Sequence, residues 1–245
     1  MLQHPVIAIT QARIGSTRLP GKVLRSICGK PLLWWHLTRL RRCRLLDGIV
    51  VATTEEPGAD AIVEIARDLG VAVWRGPVED VLSRYLGAAH AAKAATIVRV
   101  TSDCPVIDPA LIDSLIQAYE DADGSIDYMS LDVSKLPRGL DAEIFSANML
   151  EIAAREARDL AEREHVTAFI YRRPERFRIG ALVPDSIELP GLRLCVDTSE
   201  DLLLVSRVIE ALAPERPSFA WADMARIFEL HPEWALINAN TVQKS

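Results

Sequence analysis

Several features that mark specialised protein classes are missing from this sequence. Its 245 residues include only four scattered cysteines, with no Cys-x-x-Cys pair and no His/Cys cluster: Cys28, Cys43, Cys104 and Cys195. This spacing favours reduced thiols over a disulfide or zinc framework. No apolar run reaches membrane-spanning length, and the first residues lack the charged-then-apolar pattern of a signal peptide. We therefore expect a cytoplasmic protein without a membrane partner.

Excess positive charge is also missing. The chain has 28 basic and 34 acidic residues, which gives a net charge of −6 at pH 7 with neutral histidines. This balance argues against general nucleic-acid binding, so any anion site must be a local feature. With 49% hydrophobic and 25% charged residues, the composition is typical of a globular protein.

Short apolar runs alternate with helical patterns in the first half of the chain. The predicted strands are 6–9, 48–53, 71–74 and 96–100, and the predicted helices are 31–44, 59–69, 78–93 and 108–119. Such alternation with short connections indicates a parallel sheet with helices on both faces.

The pattern changes after residue 124. The predicted strands here are 126–131, 140–145, 177–183 and 192–196, and the helices are 147–157, 159–172, 199–212 and 220–230. We expect the tail after Trp234 to be loosely held. The sequence thus predicts a single α/β domain over 1–245, with a mostly parallel central sheet flanked by helices. Its nucleotide-binding part covers about 1–125, and a smaller lobe covers about 126–190.

The stretch 11–22 follows the first predicted strand and reads Gln-Ala-Arg-Ile-Gly-Ser-Thr-Arg-Leu-Pro-Gly-Lys. Gly15 and Gly21 allow close approach of the backbone to a ligand, and Arg13, Arg18 and Lys22 add positive charge. We interpret it as a triphosphate-binding loop at the carboxyl end of a strand. An exposed basic turn is the alternative. The spacing matches neither a Walker A loop nor a dinucleotide fingerprint.

Two aspartates have positions suited to metal binding. Asp103 directly follows the fourth predicted strand, and Asp197 follows another apolar run just before a helix. If both lie at the carboxyl edge of the sheet, they are suited to hold Mg²⁺ against phosphates. The alternative for Asp197 is a structural role in the turn before the helix, since Thr198 and Asp201 have the spacing of a capping box.

Six stretches carry a family resemblance and occur in family order: 11–22, Glu79-Asp-Val-Leu-Ser-Arg-Tyr85, Thr101-Ser-Asp-Cys-Pro-Val-Ile-Asp108, Pro137-Arg-Gly-Leu-Asp-Ala-Glu143, Glu162-Arg-Glu-His-Val-Thr167 and Val196-Asp-Thr-Ser-Glu-Asp201. With them the chain resembles the acylneuraminate and 3-deoxy-manno-octulosonate cytidylyltransferases, and most closely the branch of the spore-coat polysaccharide biosynthesis protein F. The resemblance implies a nucleotide-diphospho-sugar transferase fold of GT-A-like architecture. It also implies a Mg²⁺-dependent transfer of CMP from CTP to an acidic sugar of the nonulosonic or octulosonic type, and a homodimer formed through the smaller lobe.

The resemblance also implies residue roles. Arg13 and Lys22 are the expected catalytic cations at the β- and γ-phosphates, and Asp103 and Asp197 are the metal ligands. The other expected nucleotide contacts are Ala12, Gly15, Ser16, Arg18, Arg75 and Ser83. The expected sugar contacts are Arg138, Asp141, Glu143, Glu164, His165 and Thr167. A Ser-Thr-Arg-Leu-Pro insert precedes Lys22 where the sialate enzymes have Arg and then Ser-Lys, which leaves the pairing of cations with phosphates open.

Alternatives remain at this stage. A solvent-facing role competes with sugar binding for His165, and a structural ion-pair network competes with it for Arg138, Asp141 and Glu143. For the whole chain, the alternatives are another sugar or sugar-phosphate nucleotidyltransferase, a glycosyltransferase on the same fold, and a subunit that binds CTP without turnover.

Overall fold

The computed structural model describes residues 2–184 and 191–242, which form nine strands and nine α-helices. The strands are β1 (Val6–Gln11), β2 (Ser26–Ile27), β3 (Lys30–Pro31), β4 (Gly48–Thr54), β5 (Ala72–Gly76), β6 (Thr96–Thr101), β7 (Tyr128–Leu131), β8 (Glu143–Ser146) and β9 (Ile179–Leu182). The helices are α1 (Leu32–Leu40), α2 (Asp60–Asp68), α3 (Val81–Ala91), α4 (Pro109–Asp121), α5 (Ala147–Glu156), α6 (Leu160–Glu164), α7 (Ala168–Tyr171), α8 (Ser199–Leu212) and α9 (Trp221–Leu230). Short 3-10 helices cover Lys22–Leu24 and Pro232–Leu236.

Seven of the described strands form one sheet in the order β5-β4-β1-β6-β8-β7-β9. The neighbours from β5 to β6 are parallel, β8 is antiparallel to both β6 and β7, and β9 is parallel to β7. The mostly parallel sheet is confirmed. The strands of the second half of the chain extend the same sheet.

Side chains alternate along β1 between two cores, because successive residues of a strand face opposite sides of a sheet. Val6 and Ala8 belong to one apolar cluster, which also takes in residues of α1, α4, α8 and α9. Ile7 and Ile9 belong to the other, which takes in residues of α3, α5 and α7. Helices therefore cover both faces, as predicted.

The helix predicted at 159–172 is wrong as a single element. It is divided into α6 and α7, because buried Val166 adopts a positive φ of 52°, which an α-helix does not accommodate. The strand predicted at 192–196 is also wrong. That segment forms one isolated bridge, between Arg138 and Arg193, in the part of the chain that the structure describes.

The described part of the tail, residues 235–242, is anchored at Asn238, although the sequence predicted a loosely held tail. Asn238 is only 4% exposed, and its side-chain amide donates hydrogen bonds to the carbonyl of Arg193 at 2.9 Å and to Asp201 at 2.8 Å. None of the helices within residues 2–184 and 191–242 is long and apolar enough to span a bilayer.

Candidate active site

A cleft of about 400 Å³ opens at the carboxyl edge of β1 and β6. The two strands are adjacent and parallel, with Gln11 beside Thr101. The loop after β1 therefore lies next to Asp103, which follows β6. The segment before α8 reaches the same place, because the amide of Val196 donates a hydrogen bond to the carbonyl of Asp103 at 2.8 Å. Three stretches that are distant in sequence thus meet in one cleft.

Lys22 lies between the two aspartates. Its Nζ is 2.8 Å from Asp103 Oδ2 and 2.8 Å from Asp197 Oδ1. The other oxygen of Asp197 is 2.8 Å from Arg18 Nη2 and also pairs with Arg193. Burial acts to lower the pKa of Lys22, but the two carboxylates outweigh it and raise the pKa. Burial acts to raise the pKa of Asp103, and Lys22 reverses this so that the pKa is lowered.

A second layer of contacts fixes Asp197. Asp201 and Thr198 form the capping box of α8, as their spacing indicated. Asp201 Oδ2 accepts hydrogen bonds from the amides of Asp197 at 2.9 Å and Thr198 at 3.1 Å. Its Oδ1 accepts a hydrogen bond from Arg193 Nε at 3.0 Å. Because Thr198 and Asp201 supply the cap, the carboxylate of Asp197 remains available to cations.

Several backbone amides of the loop donate to carbonyls of the protein itself. The amide of Gly21 donates to the carbonyl of Ile14 at 3.1 Å, and that of Ala12 donates to Ala52 at 3.2 Å. The amide of Ser16 also donates to the carbonyl of Ile14, at 2.9 Å. Gly21, with φ of 64°, therefore serves the turn that starts the 3-10 helix at Lys22. Of the expected contacts in this loop, these line the cleft: Ala12, Arg13, Gly15, Ser16, Arg18 and Lys22.

The carboxyl tail also approaches this loop. Arg18 Nη1 donates a hydrogen bond to the carbonyl of Val242 at 3.2 Å. Through Arg18 and Asn238, the last described residues contact the groups around Asp197.

Arg138, Asp141, Glu164 and His165 line another part of the cleft. Asp141 Oδ1 is buried and has no hydrogen-bond partner among the described residues. Burial raises the pKa of Asp141 to about 6, although the charge of Arg138 opposes this rise. An acceptor oxygen in this condition is suited to a hydroxyl group of a ligand.

Gly139 holds this part of the cleft against the segment before α8. Its φ is +100°, and a Cβ at this position would lie 2.5 Å from the carbonyl carbon of Leu194 and 2.6 Å from the nitrogen of Cys195. The close approach allows the amide of Leu194 to donate to the carbonyl of Arg138 at 2.7 Å. Only glycine fits here without moving the backbone.

Glu143 and Thr167 do not line the cleft. Glu143 lies directly across from Arg99 in the β6–β8 ladder, and Arg99 Nη1 is 3.0 Å from both of its carboxylate oxygens. Thr167 Oγ1 donates to the same carboxylate at 2.8 Å. Arg99 itself lines the cleft. The sequence analysis did not identify Arg99 as a site residue. The signal that could have identified it is a charged residue inside an otherwise apolar strand.

Arg75 and Ser83 also lie outside the cleft lining. Arg75 pairs with the exposed Asp60. Ser83 belongs to the start of α3, where its amide donates to Asp80 Oδ1 at 3.0 Å and its hydroxyl donates to the carbonyl of Asp80 at 2.9 Å. From the same helix, Val81 and Arg84 line the cleft instead.

Comparison with known proteins identifies the family. The sequence profile described as Cytidylyltransferase matches residues 7–218. The chain belongs to the cytidylyltransferase family. This confirms the resemblance carried by the six stretches.

Three curated relatives illustrate the place of this cytidylyltransferase in the family. It is 35% identical to the uncharacterized protein MJ1063 of Methanocaldococcus jannaschii, over 98% of this chain and 97% of that protein. It is 33% identical to the spore coat polysaccharide biosynthesis protein SpsF of Bacillus subtilis, over 95% and 97%. It is 29% identical to a 3-deoxy-manno-octulosonate cytidylyltransferase of Acidobacterium capsulatum, over 86% and 97%. The expected spore-coat branch is thus confirmed.

Solved structures confirm the fold of this cytidylyltransferase. A cytidylyltransferase from Leptospira borgpetersenii superposes with a TM-score of 0.90 at 32% identity, covering 99% of this chain and 100% of that one. A CMP:2-keto-3-deoxy-manno-octonic acid synthetase complexed with CTP gives 0.67 at 17% identity, covering 85% and 99%. Rv0371c of Mycobacterium tuberculosis, solved with manganese, gives 0.57 at 20% identity, covering 83% and 99%.

In this cytidylyltransferase, Asp103 and Asp197 are suited to bind a divalent cation that is coordinated by phosphate oxygens at the same time. Asp103 and Asp197 converge on one point, as their common contact with Lys22 demonstrates. Within the described ranges no group of three or more His, Cys, Asp or Glu residues is arranged to hold a metal by itself. Two carboxylates with the remaining positions taken by phosphate oxygens and water are typical of Mg²⁺ sites.

Proposed function

We propose that this cytidylyltransferase transfers CMP from CTP to an acidic sugar of the nonulosonic or octulosonic type, releasing pyrophosphate, for surface polysaccharide synthesis. The observation that carries the proposal is the convergence of a cationic loop and two carboxylates in one cleft. The names of the SpsF and 3-deoxy-manno-octulosonate relatives support the choice of substrate class.

In the proposed reaction a sugar hydroxyl attacks the α-phosphorus of CTP in line. Catalysis of this kind depends on positioning and on neutralisation of charge. Arg13 and Lys22 are the residues that would neutralise the departing pyrophosphate, and Gly15, Ser16 and Arg18 lie beside them in the cleft wall. The amide of Ala12 donates to the carbonyl of Ala52 and is therefore not available to CTP. Ala12 would serve the nucleotide only as part of the cleft wall.

Asp103 and Asp197 would hold Mg²⁺, which supplies positive charge for the phosphate oxygens of CTP. Arg193 and the Asp201 cap keep Asp197 directed toward Asp103. This arrangement agrees with a metal bound jointly by protein and nucleotide.

For the nucleoside, we propose Val81 and Arg84 as cleft contacts. Arg75 and Ser83 lie outside the cleft lining and would act on the nucleoside from there. Arg84 is directed by hydrogen bonds from its Nη1 to the carbonyls of Pro77 at 2.5 Å and Val78 at 2.7 Å. Burial, together with the charge of Arg13, lowers its pKa.

For the acceptor, we propose contacts from four side chains and an indirect role for two others. Asp141 Oδ1 accepts a hydrogen bond from a sugar hydroxyl, and Arg138, Glu164 and His165 surround the same part of the cleft. Glu143 and Thr167 act by holding Arg99. The part of the chain around 126–190 thus serves the sugar.

A homodimer through that same part of the chain is a further element of the proposal. β9 pairs only with β7 among the described strands, so no strand of residues 2–184 and 191–242 covers its other edge. It carries exposed Ile179 and is followed by exposed Val183. Ile179→Lys is expected to shift the molar mass in light scattering to that of a monomer. Leu203→Lys, on the exposed face of α8, is the matched control. A monomeric wild-type protein would contradict the dimer.

We place the enzyme in the cytoplasm. All four cysteines are free thiols, which suits a reducing compartment.

The deciding experiment measures pyrophosphate release with Mg²⁺, CTP and a panel of nonulosonic and octulosonic acids. Release with CTP and one acid sugar is expected. Release only with a sugar phosphate and another nucleoside triphosphate would instead identify a different nucleotidyltransferase. UDP release from a nucleotide sugar would identify a glycosyltransferase. Tight CTP binding with no turnover of any acceptor would identify a sensing subunit.

A further inference from the structure

Lys22 contacts the two carboxylates that the proposed metal requires. Two of the three ammonium donors are used, each at 2.8 Å, and they reach oxygens of different residues. The side chains are only 14%, 24% and 15% exposed for Lys22, Asp103 and Asp197. Water therefore does little to screen these contacts.

Mg²⁺ coordinates oxygen ligands at roughly 2.0–2.1 Å. An ammonium group that is bound to the same oxygens would lie within a few ångström of it, and the two positive charges would repel each other. Lys22 and the cation therefore compete for Asp103 and Asp197. When the metal binds the two carboxylates, the ammonium group of Lys22 must pair with a different anion.

The triphosphate provides that anion, because Lys22 lines the same cleft as the other loop cations. We propose that Lys22 couples metal binding to nucleotide binding: it occupies the carboxylate pair until the triphosphate draws its ammonium away. The inference rests on the proposed Mg²⁺ site. Metal alone is bound weakly, and each ligand favours the binding of the other.

Two neighbouring arginines provide graded comparisons. Of the two carboxylates, Arg18 contacts Asp197 alone, at 2.8 Å, and its other contact is the carbonyl of Val242. Arg13 lines the cleft but forms no hydrogen bond or ion pair with the described residues. Substitution of any of the three by methionine removes one positive charge from the cleft, and the three variants differ in how many carboxylate contacts they lose.

The test is a titration of the full chain with Mn²⁺ alone, followed by the electron paramagnetic resonance signal of the free ion. Lys22→Met is expected to bind Mn²⁺ at least roughly tenfold more tightly than wild type, about the effect of one partly buried charge contact. Arg18→Met is expected to show a smaller gain, and Arg13→Met is expected to stay close to wild type. Equal affinities of Lys22→Met and Arg13→Met would overturn the coupling.

Circular dichroism establishes that each variant folds. Should Lys22→Met not fold, the comparison of Arg18→Met with Arg13→Met decides, and equal Mn²⁺ affinities would again overturn the coupling. Calorimetric titration of wild type with CTP and Mg²⁺ separates this inference from the proposed function. Absence of CTP binding would refute the proposed function, whereas CTP binding without tighter Mn²⁺ binding by Lys22→Met would refute only the coupling.

Discussion

Two parts of the cleft differ in how their charges are satisfied: the proposed phosphate end around Lys22 and the proposed acceptor end around Asp141. At the phosphate end, Lys22 bridges Asp103 and Asp197. Arg18 and Arg193 contact the second carboxylate oxygen of Asp197. At the acceptor end, Asp141 retains a buried oxygen that bonds to none of the described residues.

The difference indicates two modes of recognition. A ligand at the phosphate end must exchange partners with existing ion pairs, so binding there depends on competition between charges. A ligand at the acceptor end completes a hydrogen bond that the protein leaves open, and the cost of the open group is a loss of stability. The following experiments test this contrast.

The largest effect is expected at the phosphate end. Lys22→Ala should lower the rate of pyrophosphate release by roughly 10²–10³-fold, or about 3–4 kcal/mol, by analogy with the loss of one transition-state charge contact. Steady-state assays at saturating CTP and acid sugar measure the loss. Lys135→Ala, an exposed lysine outside the cleft lining, is the control and should retain wild-type rates. A rate loss below tenfold would contradict the role of Lys22.

Gly139→Ala should lower the free energy of unfolding by roughly 3 kcal/mol, because a Cβ would collide with the backbone of Leu194 and Cys195 and the φ is strained. Chemical denaturation measures this change. Gly124→Ala is a matched control, since Gly124 also has a positive φ of 76° but nothing lies within 4 Å of its Cβ position. Equal losses in the two variants would mean that close packing at the acceptor end is unimportant.

Asp141→Asn should stabilise the protein at pH 7 by about 3 kcal/mol. Burial raises the pKa of Asp141 in the folded protein to about 6, from 3.8. The folded state therefore binds more protons between pH 4 and 6, and its stability falls as the pH rises through this range. The gain should vanish below about pH 4.

Denaturation across pH in the presence of a chelator checks this prediction, and Asp132→Asn, at an exposed turn, should show no gain. The same Asp141 variant should lower pyrophosphate release, because a neutral amide oxygen is a weaker hydrogen-bond acceptor than a carboxylate oxygen. Equal stabilities of Asp141→Asn and the wild-type protein at both pH 7 and pH 4 would contradict the contrast between the phosphate end and the acceptor end.

The smallest effect is expected behind the acceptor end. Thr167→Val removes the 2.8 Å hydrogen bond to Glu143 and should cost about 1 kcal/mol of stability. The KM for the acid sugar should rise while the KM for CTP stays constant, because Arg99 loses part of its support. Thr38→Val, which removes a hydrogen bond within α1, should leave both KM values unchanged. A rise in the KM for CTP would contradict the proposal that Glu143 and Thr167 support the acceptor site by holding Arg99.

Local patterns predicted most of the sheet and the phosphate end of the cleft. Each of the groups Lys22, Asp103 and Asp197 lies in or beside a connection that follows an apolar run, and the carboxyl ends of parallel strands meet. The break at Val166 and the lack of a strand at 192–196 were not predictable, because both depend on tertiary packing. The same is true of Arg99, Arg193 and Asn238, whose partners are set by contacts between distant parts of the chain.

The hydrogen bond from Arg18 to Val242 has a practical consequence for preparing the enzyme. Foreign residues attached directly after Val242 would begin close to the loop that contains Arg18, beside the cleft proposed for CTP. The amino terminus is the better place for a purification handle, because Gln3 precedes β1 and lies at the other edge of the sheet, where its carbonyl accepts a bond from Thr96.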